Sequence, residues 1–270
     1  MMRILSLGAG VQSTTLALMA AHGEIGPMPD CAIFADTQWE PQAVYDHLAW
    51  LRSPNVLPFP VHIVSAGSLR QAIVEKATGV QGRFAAVPFF TGPTADNPRG
   101  GIGRRQCTRE YKIDPIARKC RELLGYRPRQ RIPPAAVEIW VGISLDEIQR
   151  MKPARNTWQV NRHPLIEKQM TRQDCLQWLS RADYPQPPKS SCIGCPFHHN
   201  EQWRQMRDTR PEEWAEAVEV DRLIRAKGTL RGMNSEQFMH SDRVPLDQAN
   251  IDRLQPGDLF NMECEGMCGV

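Results

Sequence analysis

The sequence predicts an α/β protein with a parallel sheet, because short apolar runs of strand length alternate with longer helical patterns. The predicted strands are residues 3–7, 31–35, 61–64 and 137–141. The predicted helices are residues 13–21, 41–51, 69–76, 114–124 and 172–181, with further helix over much of 199–227. Strands that alternate with helices in this way favour a parallel sheet covered on both faces.

The length of 270 residues, at about 150 per domain, predicts one large domain or a domain with an appendage. We expect an α/β domain over residues 1–185 and a cysteine-bearing helical region over 186–270 packed on it. Residues 79–105 are rich in glycine and proline and lack periodicity, which predicts a long loop or lid. The stretch from Gly228 onward is expected to be irregular.

Composition excludes wholesale disorder, since 41% of the residues are hydrophobic and 23% are charged. The net charge of +3 permits contact with nucleotides or nucleic acid without identifying a partner. No run approaches the ~20 apolar residues of a membrane helix and no secretory signal pattern is present, so we expect a cytoplasmic protein. Eight cysteines in such a chain favour metal binding, catalysis or burial over disulfides.

The segment Gly8-Ala9-Gly10 separates the first strand from its helix and is the first candidate binding site. Its small residues let backbone amides approach an anion, and the following helix presents its positive end near Ser13 and Thr14. The alternative is an ordinary tight turn, because the segment matches neither a Walker loop nor a GxGxxG fingerprint.

Two further candidates follow strands of the same sheet, where ligands of open α/β folds gather. Asp36, with Thr37, is placed to meet a ribose, an adenine or a metal; the alternative is a carboxylate that caps the next turn. After the strand 137–141, Gly142 begins a segment that contains Asp146, Glu147 and Arg150. Arg150 suits bidentate phosphate binding, and the alternative is a helix start with a surface ion pair.

The strongest local signal is the pair Cys192 and Cys195 in a CxxC sequence, the spacing that one metal or cluster requires of two thiolates. Candidate further ligands are Cys107, in a basic run, and the C-terminal Cys264 and Cys268. Zinc, an iron–sulfur cluster and a redox dithiol all fit these thiols, whereas the other three cysteines lie in apolar patterns typical of a core. Those three are Cys31, Cys120 and Cys175.

Together these motifs resemble the phosphoadenosine phosphosulfate (PAPS) reductase family within the PP-loop adenine nucleotide alpha hydrolases, over most of the chain. Residues 6–15 are similar to the PP-loop, and residues 34–41 to the F-x-D-T-G-x-E-x-P segment. Further similar segments, in the same order as in the family, are Gly142 to Arg150, His163 to Trp178, Cys107 to Ile116 and Cys192 to Phe197. The tail from Glu263 to Gly269 is loosely similar to the mobile cysteine-bearing end of sulfonucleotide reductases.

The resemblance implies a Rossmann-like PP-loop fold that binds ATP or PAPS, with Mg²⁺ as an accompanying ion. The implied nucleotide-binding residues are Ser6, Gly8, Ala9, Gly10, Gln12, Ser13, Thr14, Asp36, Thr37 and Gly142. A [4Fe–4S] cluster, with zinc as the alternative metal, is implied at Cys107, Cys192 and Cys195, and Cys268 or Cys264 is the rival fourth ligand. The chain departs from the family pattern at Gln12, where a PP-loop aspartate is usual, and at Gln106, where cluster-bearing reductases have a second cysteine.

The function expected first is an ATP pyrophosphatase that adenylates an acceptor for cluster-dependent sulfur transfer, as in nucleic acid thiolation or phosphorothioation. Sulfur would come from a cysteine desulfurase, with Asp146 and Arg150 assisting at the nucleotide and Arg99, Arg104, Arg105 and Arg109 lining the acceptor's approach. The alternative is a sulfonucleotide reductase in which Cys264 or Cys268 attacks the sulfonate and thioredoxin restores the thiol. A non-catalytic nucleotide-binding redox module is the third hypothesis, and a homodimer is an open possibility for the assembly.

Overall fold

The computed structural model describes residues 1–80, 87–226 and 235–253 and contains a five-stranded, entirely parallel sheet. Its strands are β1 (Met2–Leu7), β2 (Cys31–Asp36), β3 (Val61–Ser65), β6 (Val137–Val141) and β7 (Gln159–Arg162), in the order β3-β2-β1-β6-β7. The prediction of a parallel α/β fold is confirmed, and the strand order is compatible with a Rossmann-like arrangement.

Helices connect the strands and continue beyond the sheet. They are α1 (Val11–Ala21), α2 (Gln42–Leu51), α3 (Leu69–Ala77), α4 (Asp114–Leu123), α5 (Pro164–Glu167), α6 (Arg172–Arg181), α7 (Asn200–Thr209) and α8 (Pro211–Ala226). A π-helical turn, Thr108–Ile113, leads directly into α4, and 3₁₀ turns cover Leu145–Arg150 and Leu246–Gln248. No helix of the described residues is long and apolar enough to span a membrane.

Side-chain alternation along the strands divides the core into two layers on the sheet. Leu5, Phe34 and Trp140 point to the face covered by α1 and α6, whereas Ile4 and Ile139 point to the face covered by α4. A third apolar cluster joins α3 to α7 and α8, and thereby seats the C-terminal helices against the α/β unit. These three clusters fix the strand ends relative to the cysteine-bearing segment.

A small antiparallel sheet was not expected from the sequence. It pairs β4 (Phe90–Thr91) with β5 (Gly101–Ile102) and with β8 (Gln237–Phe238), in the order β5-β4-β8. Two of its strands lie within the segment predicted as a loop or lid, and the third lies in the stretch predicted as irregular. Strands of two residues are too short to give a periodic signal, so only the tertiary pairing reveals them.

The strand order reverses between β1 and β6, because successive strands are added first on one side of β1 and then on the other. The segments that leave the carboxyl ends of β1 and β6 therefore flank the switch point of the sheet. In open α/β folds this crevice is where ligands bind. The loops after β1, β2 and β6 carry the residues that form the candidate site.

Candidate functional site

The loop after β1 turns sharply into α1. Ala9 adopts a left-handed conformation with a φ of 57°, and the cap residue of α1 is Gly10, which has no side chain of its own to bond the first turn. The Gly8 amide donates to Ser13 Oγ at 3.2 Å, and Ser13 Oγ lies 3.4 Å from the Gly10 carbonyl oxygen. A helix N-terminus presents backbone amides and a positive dipole end, both of which favour an anion. This geometry suits the predicted binding of phosphate.

Gly142, at the end of β6, packs against the same loop. A Cβ atom added at this position would lie 2.9 Å from the Ser13 nitrogen and 3.0 Å from the Ser13 Cα. Since both are backbone atoms, they cannot swing aside as the tip of a flexible side chain could. Glycine at this position therefore lets the two predicted nucleotide-binding segments meet at the switch point.

Gln12 links the start of α1 to the segment after β6. Its Nε2 donates to Glu147 Oε2 at 3.2 Å and lies 3.4 Å from Ser144 Oγ, while its buried Oε1 has no hydrogen-bond partner within the part of the chain that the structure describes. Glu147 in turn forms an ion pair with Arg150, and both side chains are about one-tenth exposed. The expected surface ion pair is thus a largely buried one that borders the loop after β1.

Asp146 and Asp36, two predicted functional carboxylates, are engaged by nearby backbone. Asp146 is exposed and accepts from the Arg172 amide at 3.0 Å, at the start of α6. Asp36 Oδ1 accepts from the Gln38 amide at 2.7 Å and from the Tyr45 hydroxyl at 2.9 Å. The Asp36 contact with the Gln38 amide is the turn-capping role that the sequence left open as an alternative, whereas Asp146 bonds the start of α6 and not the start of its own helix.

Thr14 and Thr37 were both predicted to bind nucleotide, but their hydroxyl groups meet different partners. Thr14 Oγ1 lies 3.0 Å from His47 Nε2 on α2, below the loop. Burial lowers the pKa of His47 to about 4, so the imidazole is neutral at pH 7. The Thr37 hydroxyl donates to Glu40 Oε1 at 2.9 Å and lies 3.3 Å from Cys192 Sγ, which places it beside the cysteines.

Cys107, Cys192 and Cys195 line one cavity of about 30 Å³, hereafter the cysteine pocket. Cys107 begins the π-helical turn, and the amide of Cys195 donates to the carbonyl of Cys192 at 3.0 Å in a tight turn. Apolar and proline residues form much of the wall of the pocket: Leu69, Val87, Pro88, Pro196 and Phe197. The other predicted ligands and nucleophiles, Cys264 and Cys268, lie outside the described residues.

The three thiols are soft donors in a mostly apolar wall, a donor set that suits zinc or an iron–sulfur cluster. Within residues 1–80, 87–226 and 235–253, no three His, Cys, Asp or Glu side chains are already arranged to hold a metal ion. Cys107, Cys192 and Cys195 nevertheless line the same pocket.

A buried ion pair that the sequence reasoning did not single out lies against Cys192. Glu40 Oε1 is 3.4 Å from Lys112 Nζ and 3.6 Å from Cys192 Sγ, and the two charged side chains are 1% and 8% exposed. Burial, and secondarily the Glu40 charge, raise the pKa of the Cys192 thiol well above its ordinary value, while Lys112 opposes the shift. Glu40 Oε2 has no hydrogen-bond partner among the described residues, so a buried carboxylate oxygen next to Cys192 is left unsatisfied there.

The signal for Lys112 is its position five residues after Cys107. A π-helical turn, with i to i+5 hydrogen bonds, brings such a pair to one side of the helix, and π-helical turns are frequent at functional sites. Residue spacing alone does not indicate a π-helix, because an α-helix is the usual expectation for such a segment. Glu40 and Lys112 were therefore visible only as parts of motifs and not as a pair.

His198 braces the turn that carries the two paired cysteines. Its Nε2 donates to the Cys192 carbonyl at 3.0 Å, and its Nδ1 lies 3.4 Å from Ser191 Oγ. Burial lowers the pKa of His198 to about 4, which keeps the ring neutral near pH 7. With both ring nitrogens engaged, His198 supports the cysteine turn.

The basic residues predicted to line the approach to the site divide into two groups. Arg104, Arg105 and Arg109 line a large open cleft, and Arg105 also lines the cysteine pocket. Arg99 is exposed and does not line that cleft.

In comparisons with known proteins, the chain matches no family model, no curated protein and no solved structure. The features that bear on its function are therefore the loop after β1, the cysteine pocket and the open cleft lined by arginines.

Proposed function

We propose that this protein is an ATP-dependent sulfur-transfer enzyme of the PP-loop type, similar to the PAPS reductase family in the order of its motifs. The observation that carries the proposal is the convergence of Cys107, Cys192 and Cys195 on one pocket that Thr37 also lines. Thr37 follows β2, which pairs with β1 in parallel, and its hydroxyl lies 3.3 Å from Cys192 Sγ. Since the carboxyl ends of parallel strands meet at one edge of the sheet, the thiols and the loop after β1 belong to the same edge.

The nucleotide part of the proposal rests on the loop after β1 and on Gly142. The phosphates of ATP would accept from amides at the start of α1, where the positive end of the helix dipole also favours an anion. An acceptor oxygen would attack the α-phosphorus, form a new P–O bond and break the bond to the β-phosphate oxygen, which leaves with its electron pair as pyrophosphate. The helix dipole favours the negative charge on that leaving group, and Arg150 adds a guanidinium beside it.

The sulfur part of the proposal rests on the cysteine pocket. Cys107, Cys192 and Cys195 would hold a [4Fe–4S] cluster, which would supply an iron with an open position for sulfur; zinc is the alternative metal. Lys112 would stabilise negative charge on the Cys192 thiolate, whereas the apolar wall limits access of water. The sulfur itself would come from a persulfide donor such as a cysteine desulfurase. Its terminal sulfur would form a bond to the activated atom of the acceptor and break the bond from that atom to AMP, which leaves with the electron pair. A dithiol reductant of the thioredoxin type would then supply the two electrons that cleave the remaining S–S bond and release the thiolated acceptor and the donor thiol.

The first experiment measures the metal. Protein purified without oxygen is analysed for iron, sulfide and zinc and by absorption spectroscopy, together with Cys107→Ser, Cys192→Ser and Cys195→Ser. Cys31→Ser is the matched control, because Cys31 is buried in β2 away from the pocket. We expect about four irons in the wild type and in the control, and loss of iron in the three variants. A colourless protein, or full iron in Cys192→Ser, would overturn the cluster assignment.

The second experiment measures the nucleotide chemistry. Calorimetric titration with ATP and with PAPS is combined with assays for pyrophosphate and sulfite in the presence of bulk transfer RNA or DNA. Ser13→Ala is expected to weaken ATP binding and pyrophosphate release at least tenfold, whereas Thr15→Val, which removes a hydroxyl bonded within α1, should change neither. Sulfite release from PAPS would favour the reductase, and binding without turnover would favour a non-catalytic module.

A further inference from the structure

A large cleft on the α4 side of the sheet, hereafter the basic cleft, has a volume of about 670 Å³. One wall comes from residues 104–113 and the other from residues 152–161. Its charged lining residues among those that the structure describes are Arg104, Arg105, Arg109, Lys152 and Arg155, and none of the described lining residues is acidic. A cleft lined by one sign of charge focuses the field and concentrates counter-ions of the opposite sign.

Among the described residues, four of the five cations of this cleft have at most a weak ion pair: Arg104, Arg109, Lys152 and Arg155. Arg109 lies 3.7 Å from Asp114, and both side chains are about half exposed, so this ion pair is weak. Among the described residues, Arg104, Lys152 and Arg155 form no ion pair. The net charge of the whole chain is only +3, so five cations in one cleft represent a strong local concentration.

The basic cleft meets the cysteine pocket at Arg105. Arg105 lines the cleft and the cysteine pocket together, and its guanidinium lies over the Phe197 ring at 5.1 Å from the centroid. Its Nε also donates to Thr108 Oγ1 at 3.0 Å, which fixes the side chain beside Cys107. In the sequence, the opposite wall begins two residues after Arg150, whose partner Glu147 accepts from Gln12 at the start of α1.

The spread of the cations indicates a ligand with several phosphates in a row. The triphosphate of ATP already has a candidate site at the loop after β1. We therefore assign the cleft to a second, different anion. The side-chain amides of Gln159 and Asn161, which are two residues apart on β7, face the cleft from one side of the strand. Arginine, lysine and side-chain amides are the groups with which proteins bind nucleic acid phosphates and sugars.

We propose that the basic cleft binds the phosphodiester backbone of a nucleic acid and presents it as the sulfur acceptor. This inference rests on the proposed sulfur-transfer function and names its substrate class. Arg105 would hold a phosphate at the boundary between the cleft and the cysteine pocket. The backbone would then lie where a neighbouring atom of the nucleic acid reaches both the nucleotide loop and the thiols.

The test compares two variants that each lose three positive charges. Arg104→Gln/Lys152→Gln/Arg155→Gln neutralises the cleft, whereas Arg127→Gln/Arg129→Gln/Arg131→Gln neutralises exposed residues in the connection from α4 to the amino end of β6. Fluorescence anisotropy measures the Kd of labelled 20-nucleotide single-stranded RNA and of a 20-base-pair DNA duplex between 50 and 200 mM salt. ATP binding is measured on the same samples.

We expect the cleft variant to bind at least one of these probes tenfold or more weakly, with the control within twofold of the wild type. The slope of log K against log salt should decrease by about 2 to 3, since each lost phosphate contact contributes about 0.7 to 0.9. The probe that is affected identifies RNA or DNA as the source of the backbone. Unchanged binding of both probes by the cleft variant, or equal loss in the control, would overturn the proposal.

The ATP measurement separates this proposal from the proposed function. Weaker nucleic acid binding with intact ATP binding supports the cleft as an acceptor site. Loss of ATP binding with unchanged nucleic acid binding would assign the cleft to the nucleotide and overturn the inference. If the wild type binds no ATP but still binds nucleic acid through the cleft, the proposed function fails while the binding site stands.

Discussion

The indole ring of Trp39 lies directly over Gly194, where an added Cβ atom would come within 2.0 Å of the ring. Trp39 is buried and lies in the turn after β2, and Gly194 lies between the paired cysteines. The Ile193 amide also donates to the Trp39 carbonyl at 2.9 Å. The cysteine turn is thereby fixed against the carboxyl end of the sheet by backbone and by ring contact.

The first prediction concerns this contact. Gly194→Ala should destabilise the protein by about 1–3 kcal/mol, because the buried ring cannot move without repacking its neighbours. It should also lower the iron or zinc bound per chain. Thermal unfolding and metal analysis provide the two measurements. Gly92→Ala is the control, since its Cβ would meet neighbours at an ordinary 3.6 Å; equal behaviour of the two variants would contradict the prediction.

The second prediction concerns the buried ion pair. Lys112→Met leaves the Glu40 carboxylate buried without its cation and should lower the free energy of unfolding by about 3–5 kcal/mol. The double variant Glu40→Gln/Lys112→Met should recover much of that loss. Urea unfolding of the single and double variants measures both effects. Lys119→Met, which removes a surface ion pair with Glu122, should cost less than about 1 kcal/mol; a similar cost at Lys112 would contradict the buried role.

The third prediction concerns Gly142. Gly142→Ala should push the Ser13 backbone away, because the new Cβ would lie 2.9 Å from the Ser13 nitrogen. If the loop after β1 holds the phosphates, the Kd for ATP should rise at least tenfold while the metal content stays at the wild-type level. Calorimetry and metal analysis on one preparation provide the comparison. Wild-type ATP affinity in this variant would remove the loop from the nucleotide site.

The fourth prediction concerns pH. Burial lowers the folded-state pKa of His47 and of His198 to about 4, whereas an unfolded histidine titrates near 6.5. Between these values the unfolded chain binds more protons, so stability is complete above pH 6.5 and falls as the pH decreases toward 4. Protonation of each of these two histidines then lowers the free energy of unfolding by up to about 3 kcal/mol.

Urea unfolding at pH 7 and pH 4.5 tests this dependence. In His47→Gln the loss of stability between the two pH values should be smaller than in the wild type, because one buried group no longer has to gain a proton. His22→Gln, a change at an exposed residue, should keep the full dependence. An identical pH dependence in wild type and His47→Gln would show that His47 is not buried in its neutral form.

Most of the main α/β unit was predictable because its elements have strong local periodicity. β1, β2, β3 and β6 are short runs rich in apolar residues, and their observed bounds differ from the predicted ones by at most one residue. β7 was missed, because Gln159–Arg162 contains a single apolar residue, Val160, and forms a strand only through its pairing with β6. The helical stretch at 199–227 is divided at Arg210, where Pro211 begins a second helix.

The candidate site was predictable as a set of residue types and only partly as an arrangement. The CxxC spacing indicated that Cys192 and Cys195 act together, and the structure brings Cys107 to them from 85 positions earlier in the chain. Thr37 was expected at the nucleotide, yet its hydroxyl contacts Glu40 and Cys192. A residue at the end of β2 can face either the nucleotide loop or the cysteine pocket, and the sequence does not specify which of the two it contacts.

The sequence by itself determined the parallel α/β class, the glycine turn after β1 and the cysteine spacing, because these depend on local periodicity and on the chemistry of single residues. Only the tertiary structure decided that Glu40, Lys112 and Thr37 surround Cys192, and that Arg105 borders both the cysteine pocket and the basic cleft. These groupings join residues distant in the chain through packing of the strand ends against the C-terminal helices. Long-range packing of this kind produces no periodic pattern in the sequence, so the sequence does not predict it.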